Sequence, residues 1–223
     1  MKEKPKAVII LSGGVDSTTL LYDLKDKDYY DLYPIIFDYG QKHHREIEAA
    51  VSTLRKLKIP PKIANLRLLG ELAPSALTRD SIAVPEGHYE EESMKQTVVP
   101  NRNMVFLSLA ISYAIGLKAE IVFYGAHCGD HCTYPDTRLE FVKAMQEVAR
   151  LCDWNRMQID APYLLMDKAE IIKRGLELKV DYSKTVTCYC GREKACGKCG
   201  SCSERLQAFA KNKVIDPIEY DSK

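Results

Sequence analysis

Residues 8–21 read VIILSGGVDSTTLL, an unbroken apolar run that ends in a serine and two glycines and passes directly into a hydroxyl-rich segment. β-Branched residues without alternation mark a strand covered on both faces, as in a parallel sheet. At the carboxyl end of such a strand Gly13 and Gly14 permit a tight turn. The helix opening there aims its first amides and the positive end of its dipole at any anion. Ser12, Ser17 and Thr18 add hydroxyl donors. The bend reads as a phosphate site, yet it is no Walker loop, because no lysine follows the glycines, and it lacks the G-x-G-x-x-G spacing.

Working outward, KAVIIL (6–11), LYPIIFDY (32–39), PKIANLRL (61–68) and AEIVFYGA (119–126) read as buried strands, with RMQIDAPYLL (156–165) as one more. Between them lie periodic segments long enough for helices, at 15–25, 44–58, 101–116, 138–152 and 167–178. Alternation of this kind predicts an α/β fold, a doubly wound parallel sheet of about five strands. Residues 70–101 break the rhythm with Pro74, Pro85, Pro100 and the charged patch EGHYEEES, and are expected to form a long loop with at most a short helix.

A chain of 223 residues buries roughly 70–75% of its unfolded surface, so its stability calls for no disulfide framework. The formal net charge of +1 argues against a protein whose main work is gripping nucleic-acid backbones. Nothing approaches the ~20 apolar residues needed to span a bilayer, and a cytoplasmic address with no membrane partner is expected.

Of eight cysteines, Cys188, Cys190, Cys196, Cys199 and Cys202 crowd into one short stretch. C-x2-C-x2-C at Cys196, Cys199 and Cys202, with one upstream thiolate, suits a closed tetrahedral zinc site, structural because no position remains for water. Spacing leaves Cys188 and Cys190 both open as the fourth ligand, and an iron–sulfur cluster competes for the same set. His127, Cys128, His131 and Cys132 offer a second, weaker metal pattern. The expected division is a phosphate-binding α/β domain over residues 1–180 and a zinc-binding C-terminal segment with helical character over 181–223.

The loop SGGVDS resembles the S-G-G-x-D-[ST] loop of the PP-loop ATP pyrophosphatases, which are adenine nucleotide α-hydrolase-like. Together with FDYGQKHHREI, VPNRNMVFLSLAISYA, YPDTRLEF, DKAEIIKRG, TCYC and CGKCGSC, in that order over nearly the whole chain, it resembles the 7-cyano-7-deazaguanine synthases of queuosine and archaeosine biosynthesis. The resemblance implies conversion of 7-carboxy-7-deazaguanine and ammonia to a nitrile, through an adenylated carboxylate and an amide. It implies ATP, Mg2+ and structural Zn2+ as cofactors, and a homodimer with no direct nucleic-acid partner.

It further implies that Leu11, Ser12, Gly13, Gly14, Val15, Asp16, Ser17, Thr18 and Thr19 wrap the ATP phosphates, with Asp16 toward magnesium and Phe37 near the adenine. Ser12, Asp16, Ser17, Arg102 and Lys168 are the expected catalytic set. Gln41, Arg102, Asn103, Asp130, Tyr134 and Asp136 are expected on the deazaguanine substrate, and Cys188, Cys196, Cys199 and Cys202 on zinc. Departures at His127–Cys132 and Thr137, beside the expected base pocket, keep open a paralogue that stops at the amide or uses another amine. A PP-loop tRNA thiolation enzyme is the other alternative.

Overall fold

The computed structural model describes residues 3–89, 91–129 and 133–221, with Asp130 by its backbone alone. Five strands, β1 (Lys6–Ile10), β2 (Asp31–Asp38), β3 (Lys62–Asn65), β4 (Ile121–Phe123) and β5 (Gln158–Asp160), form one sheet in the order β3-β2-β1-β4-β5. All four pairings are parallel. Successive β1 side chains feed two separate cores, Val8 one and Ala7 and Ile9 the other, each fully buried. That is why the strand is apolar from Ala7 to Ile10 and does not alternate.

The helices are α1 (Val15–Lys27), α2 (Arg45–Lys56), α3 (Arg67–Leu72), α4 (Arg102–Leu117), α5 (Leu139–Cys152), α6 (Lys168–Glu177) and α7 (Gly200–Lys211). Leu20 and Leu21 of α1, Leu54 of α2 and Ile171 of α6 cover one face, whereas Phe106 and Ala110 of α4 and Ala149 of α5 cover the other. The third strand is shorter than its apolar run suggests, because Leu66 leaves the sheet and Arg67 begins α3. Within 70–101 the only regular element among the described residues after α3 is a 3-10 segment, Glu92–Thr97, anchored by buried Met94 and Thr97.

The chain reverses direction in the sheet between β1 and β4, so a crevice opens at their carboxyl ends, the usual ligand position in such folds. The C-terminal segment closes one side of it. Arg205, fully buried in α7, holds Asp216 through Nε at 2.7 Å and Nη2 at 2.9 Å, and also donates to Thr185, Thr187 and the Tyr182 carbonyl. This clamp lays Val186 against the glycine bend, where its amide donates to the Gly13 carbonyl at 3.1 Å. Among the described residues no helix is long and apolar enough to cross a membrane.

Candidate active site

The bend after β1 is set by its own hydroxyls. Ser17 Oγ accepts from the Ser12 amide at 3.1 Å and lies 3.0 Å from Ser12 Oγ, which in turn accepts from the Gly14 amide. Gly13 has φ +90°, and a Cβ there would collide with the Glu46 carbonyl of α2, so the position requires glycine. The first amides of any helix lack intrahelical acceptors, among the described residues no side chain caps α1, and its first-turn residues Val15, Asp16 and Ser17 line the cleft. The amino ends of α4, α6 and α7 bring Arg102, Lys168 and Ser201 to the same cavity, and convergent helix starts favour an anionic ligand.

Lys168 is positioned by a capping box: Asp167 Oδ1 accepts from the Glu170 amide and Glu170 Oε2 from the Asp167 amide, both at 2.8 Å. The box fixes Lys168 at the first helical position. Its ammonium, almost wholly buried, donates to Asp16 Oδ2 at 2.6 Å and lies 3.0 Å from His127 Nε2. Burial alone would raise the Asp16 pKa, but the charges of Lys168 and His127 outweigh it and hold the carboxyl below its ordinary range. Asp16 Oδ1 is buried without a hydrogen-bond partner among the described residues. A buried, ionised oxygen of that kind suits a hard cation.

Opposite the bend stands an aromatic wall. Phe37 at the tip of β2 stacks on Phe106 of α4, with centroids 4.3 Å apart and planes at 19°. The Arg102 guanidinium lies 5.8 Å from the ring centres of both Tyr39 and Tyr134. Among the described residues its one hydrogen bond to protein is to the Tyr39 hydroxyl at 3.4 Å, so most of its five donors stay available to a ligand. Tyr189 from the C-terminal segment ties the wall together, its hydroxyl 2.7 Å from that of Tyr89 and 3.2 Å from that of Tyr134. Tyr124, at the end of β4, lines the cavity with a buried hydroxyl that has no partner among the described residues.

Several sequence expectations meet different surroundings. Thr18 and Thr19 turn away from the cavity, and Thr19 Oγ1 is occupied by the Val15 carbonyl and the Tyr182 hydroxyl, each at 2.8 Å. Gln41 is buried and engaged: Oε1 accepts from the Tyr39 amide, while Nε2 donates to the Phe37 carbonyl and to Glu46 Oε1. It therefore braces the exit of β2 instead of facing a ligand. Asp136 caps α4, with Oδ2 accepting from the Asn103 amide at 3.0 Å, and leaves the cavity to its neighbour Thr137. Tyr134 sits behind the cavity surface, bonded to Thr97 Oγ1 at 2.7 Å. Leu11, Ser12, Gly14, Val15, Asp16, Ser17, Phe37, Arg102, Asn103 and Lys168 do line it, while Gly13 lies just behind.

The side chain of Asp130, and His131 and Cys132, lie outside the described residues, so the four-residue His/Cys pattern is described only at its first half. There His127 faces Lys168 and Asp16, whereas Cys128 Sγ donates to the Met166 carbonyl at 3.0 Å. The two side chains do not share a target.

His43 and Glu46 of the FDYGQKHHREI block also line the cavity, and the motif reading passed over both. Burial, helped by the Arg102 charge, lowers His43 to about 3 and keeps its ring neutral. Glu46 is raised to about 7 by burial, only partly offset by the Gln41 hydrogen bond and Arg102. Neither position carries a signal in local spacing. Both become visible only when α2 is folded against the bend.

In the C-terminal segment the sulfurs of Cys188, Cys196, Cys199 and Cys202 all lie within 4.8 Å of one another, and Cys196 and Cys202 are 3.9 Å apart. Four thiolates at ~2.3 Å from one tetrahedral ion stand ~3.8 Å from each other, so the set fits a single ion. Amides of Cys196, Lys198 and Cys199 donate to Cys188 and Cys196 sulfurs at 3.3–3.4 Å, which steadies ionised thiolates. Cys190 stands outside that set, beside a cavity shared with Lys42 and Arg192.

The family described as queuosine biosynthesis protein QueC matches residues 6–213. The chain is 60% identical over 216 residues to the 7-cyano-7-deazaguanine synthase of Methanoregula boonei, covering 97% of this chain and 99% of that one. It is 59% identical over 216 residues to the enzyme of the same name from Caldicellulosiruptor saccharolyticus, covering 97% and 96%. Among solved structures, the U34-tRNA thiolase NcsA of Methanococcus maripaludis, with its [4Fe-4S] cluster, superposes with TM-score 0.54 at 18% identity, over 95% of this chain and 67% of that one. The NMN synthetase of Francisella tularensis gives 0.54 at 16%, over 86% and 70%. Likeness at those identities establishes the shared fold.

Proposed function

The chain belongs to the QueC family, and from that membership we propose that it is a 7-cyano-7-deazaguanine synthase, joining 7-carboxy-7-deazaguanine and ammonia at the expense of ATP. The observation that carries the reading is near-full-length identity to named synthases in a chain whose glycine bend faces Arg102 across one cleft.

The chemistry explains the parts. A carboxylate oxygen leaves poorly until it carries a phosphoryl group. Adenylation makes the carbon attackable by ammonia, and a second adenylation, on the amide oxygen, lets that oxygen depart with AMP. Both rounds need a site that stabilises pyrophosphate as it leaves. The first-turn amides of α1, with the Ser12 and Ser17 hydroxyls, serve that purpose, and the Lys168 ammonium lines the same cleft. Asp16 Oδ1 is the oxygen that would hold Mg2+, which neutralises phosphate charge when bound. Arg102 is aimed to pair with a carboxylate or phosphate, and the Phe37–Phe106 stack borders the planar adenine or deazaguanine ring.

The four-thiol site would hold Zn2+, with the chain divided into an ATP-binding domain over 1–180 and a metal-binding segment over 181–223; the ion would fix Tyr189 and Thr187 against the cleft. We further propose a homodimer, testable by sedimentation. Incubation with ATP, Mg2+, ammonium and 7-carboxy-7-deazaguanine, followed by mass analysis, tests the activity. A nitrile supports it; an amide as end product, or unchanged acid, overturns it.

A further inference from the structure

Among the described residues two carboxyl groups line the cleft, Asp16 and Glu46, and their surroundings are opposite. Asp16 is pinned by Lys168 at 2.6 Å with His127 at 3.7 Å, an ion-paired oxygen with little basicity left. Glu46, in the first turn of α2, has no Lys or Arg within ion-pair distance among the described residues; its Oε1 accepts from Gln41 Nε2 at 2.9 Å and lies 3.7 Å from the neutral His43 ring. Gln41 is itself fixed to the backbone of Phe37 and Tyr39. The carboxyl is therefore aimed by a rigid amide, while among the described residues Oε2 takes no hydrogen bond. Pairs of carboxyls with divergent environments are how one site separates charge stabilisation from proton transfer.

Resting on the function proposed above, the reaction has a proton to dispose of that none of the phosphate-binding groups accounts for. When the amide oxygen bonds to the α-phosphorus, one N–H proton leaves with the departing pyrophosphate, which takes it up, and the nitrogen of the O-adenylyl imidate keeps one hydrogen. We propose that the Glu46 carboxylate is the base that takes this last N–H proton. The N–H electron pair becomes the second π bond of the nitrile, the C–O bond breaks toward oxygen, and that oxygen leaves on AMP. Atoms balance with no further reactant, and the carboxyl returns its proton to water at the open side of the cleft.

The groups facing Glu46 are Gln41, His43, Tyr39 and Arg102. Three are uncharged, and Arg102 approaches without bonding. Burial consequently dominates, and a base titrating near 7 is matched to neutral solution.

The test uses full-length enzyme supplied with ATP, Mg2+ and the deazaguanine amide, and separately with the acid and ammonium. For E46Q, which preserves the Gln41 contact, adenylation and amide formation continue from the acid, amide accumulates, and nitrile formation from amide falls ~100-fold or more. Wild-type nitrile formation rises with pH to a plateau above about 7, and this rise disappears in E46Q. Nitrile formed by E46Q at the wild-type rate, an unchanged pH profile, or loss of adenylation together with nitrile formation overturns the assignment. A wild-type enzyme that makes no nitrile from either substrate overturns the proposed function and the base assignment with it; E46Q results that fail beside an active wild type overturn the assignment alone.

Discussion

The four-thiol site and the aromatic wall of the cleft lie side by side, joined through Cys188 and Tyr189, yet they are built in opposite ways. Three of the four sulfurs come from seven consecutive residues, with glycines between them. The wall gathers Phe37 and Tyr39 from one strand tip, Arg102 and Phe106 from a helix start, and Tyr89, Tyr134 and Tyr189 from three loops. A locally encoded site is visible as a motif. One assembled across the chain is held by packing, and each member depends on the others.

Removing metal is the hardest blow to that comparison. Structural zinc contributes about 10–16 kcal/mol in small metal-folded domains, so C196S or chelation should empty the site by elemental analysis and lower the melting temperature by about 10 °C or more. Because Tyr189 and Thr187 ride on the same segment, ATP protection of the cleft should fail in parallel. Retained nucleotide binding by metal-free protein would show that the wall stands without the thiol site.

Next in size is K168M, which strands Asp16 without its cation. Breaking a buried pair costs about 3–5 kcal/mol, and the lower end applies here because the Asp16 side chain keeps 21% of its exposure; the loss is read as a shift in urea midpoint. The pH dependence has a definite sign. Asp16 is depressed in the folded state, so the stability it confers is present above its unfolded value near 3.8 and is lost as pH falls through the folded one. K168M should flatten that acid limb.

Glu46 tests the same logic with the sign reversed. Its folded pKa of about 7 lies above the ordinary value of 4.5, so the folded state holds its proton more tightly. Stability from this group is complete below about 4.5 and is lost as pH rises through about 7, a loss on the order of 3 kcal/mol. Urea titrations of wild type and E46Q at pH 5 and 8 should converge at the higher pH or cross. Parallel curves would mean that Glu46 is solvated.

Smaller effects sharpen the picture. Y189F removes a hydroxyl shared with Tyr89 and Tyr134 and should cost about 1 kcal/mol, with a larger effect on KM for the deazaguanine than on metal content. C190S should leave metal content unchanged, since Cys190 stands outside the thiol set; metal loss in that variant would move the fourth ligand.

Particular residues show why some sites were legible and others were not. SGGVDS announced itself because a left-handed Gly13 and the hydroxyls at 12 and 17 act on their own backbone, within six residues. Gln41, Asp136 and Thr19 are bonded within the protein and off the cavity surface, because an amide, a carboxylate or a hydroxyl serves a ligand and a protein group equally well, and their partners, Glu46, Asn103 and Tyr182, are chosen by the fold. Glu46 went unnoticed for the complementary reason. Nothing in its flanking residues records that α2 will press it against the bend.

The sequence by itself determined the parallel α/β sheet, the glycine bend and the three thiols of the C-x2-C-x2-C run, since hydrophobic periodicity, glycine dihedrals and ligand spacing act over one or two turns of chain, while the fold chose Cys188 over Cys190 to complete the set. Tertiary structure alone decided which carboxyl is ion-paired and which is left basic, and which polar side chains face the cavity. Burial and charge neighbourhood are properties of positions in space, and residues such as Asp16 and Lys168, 152 positions apart, carry no mark of their meeting in their order.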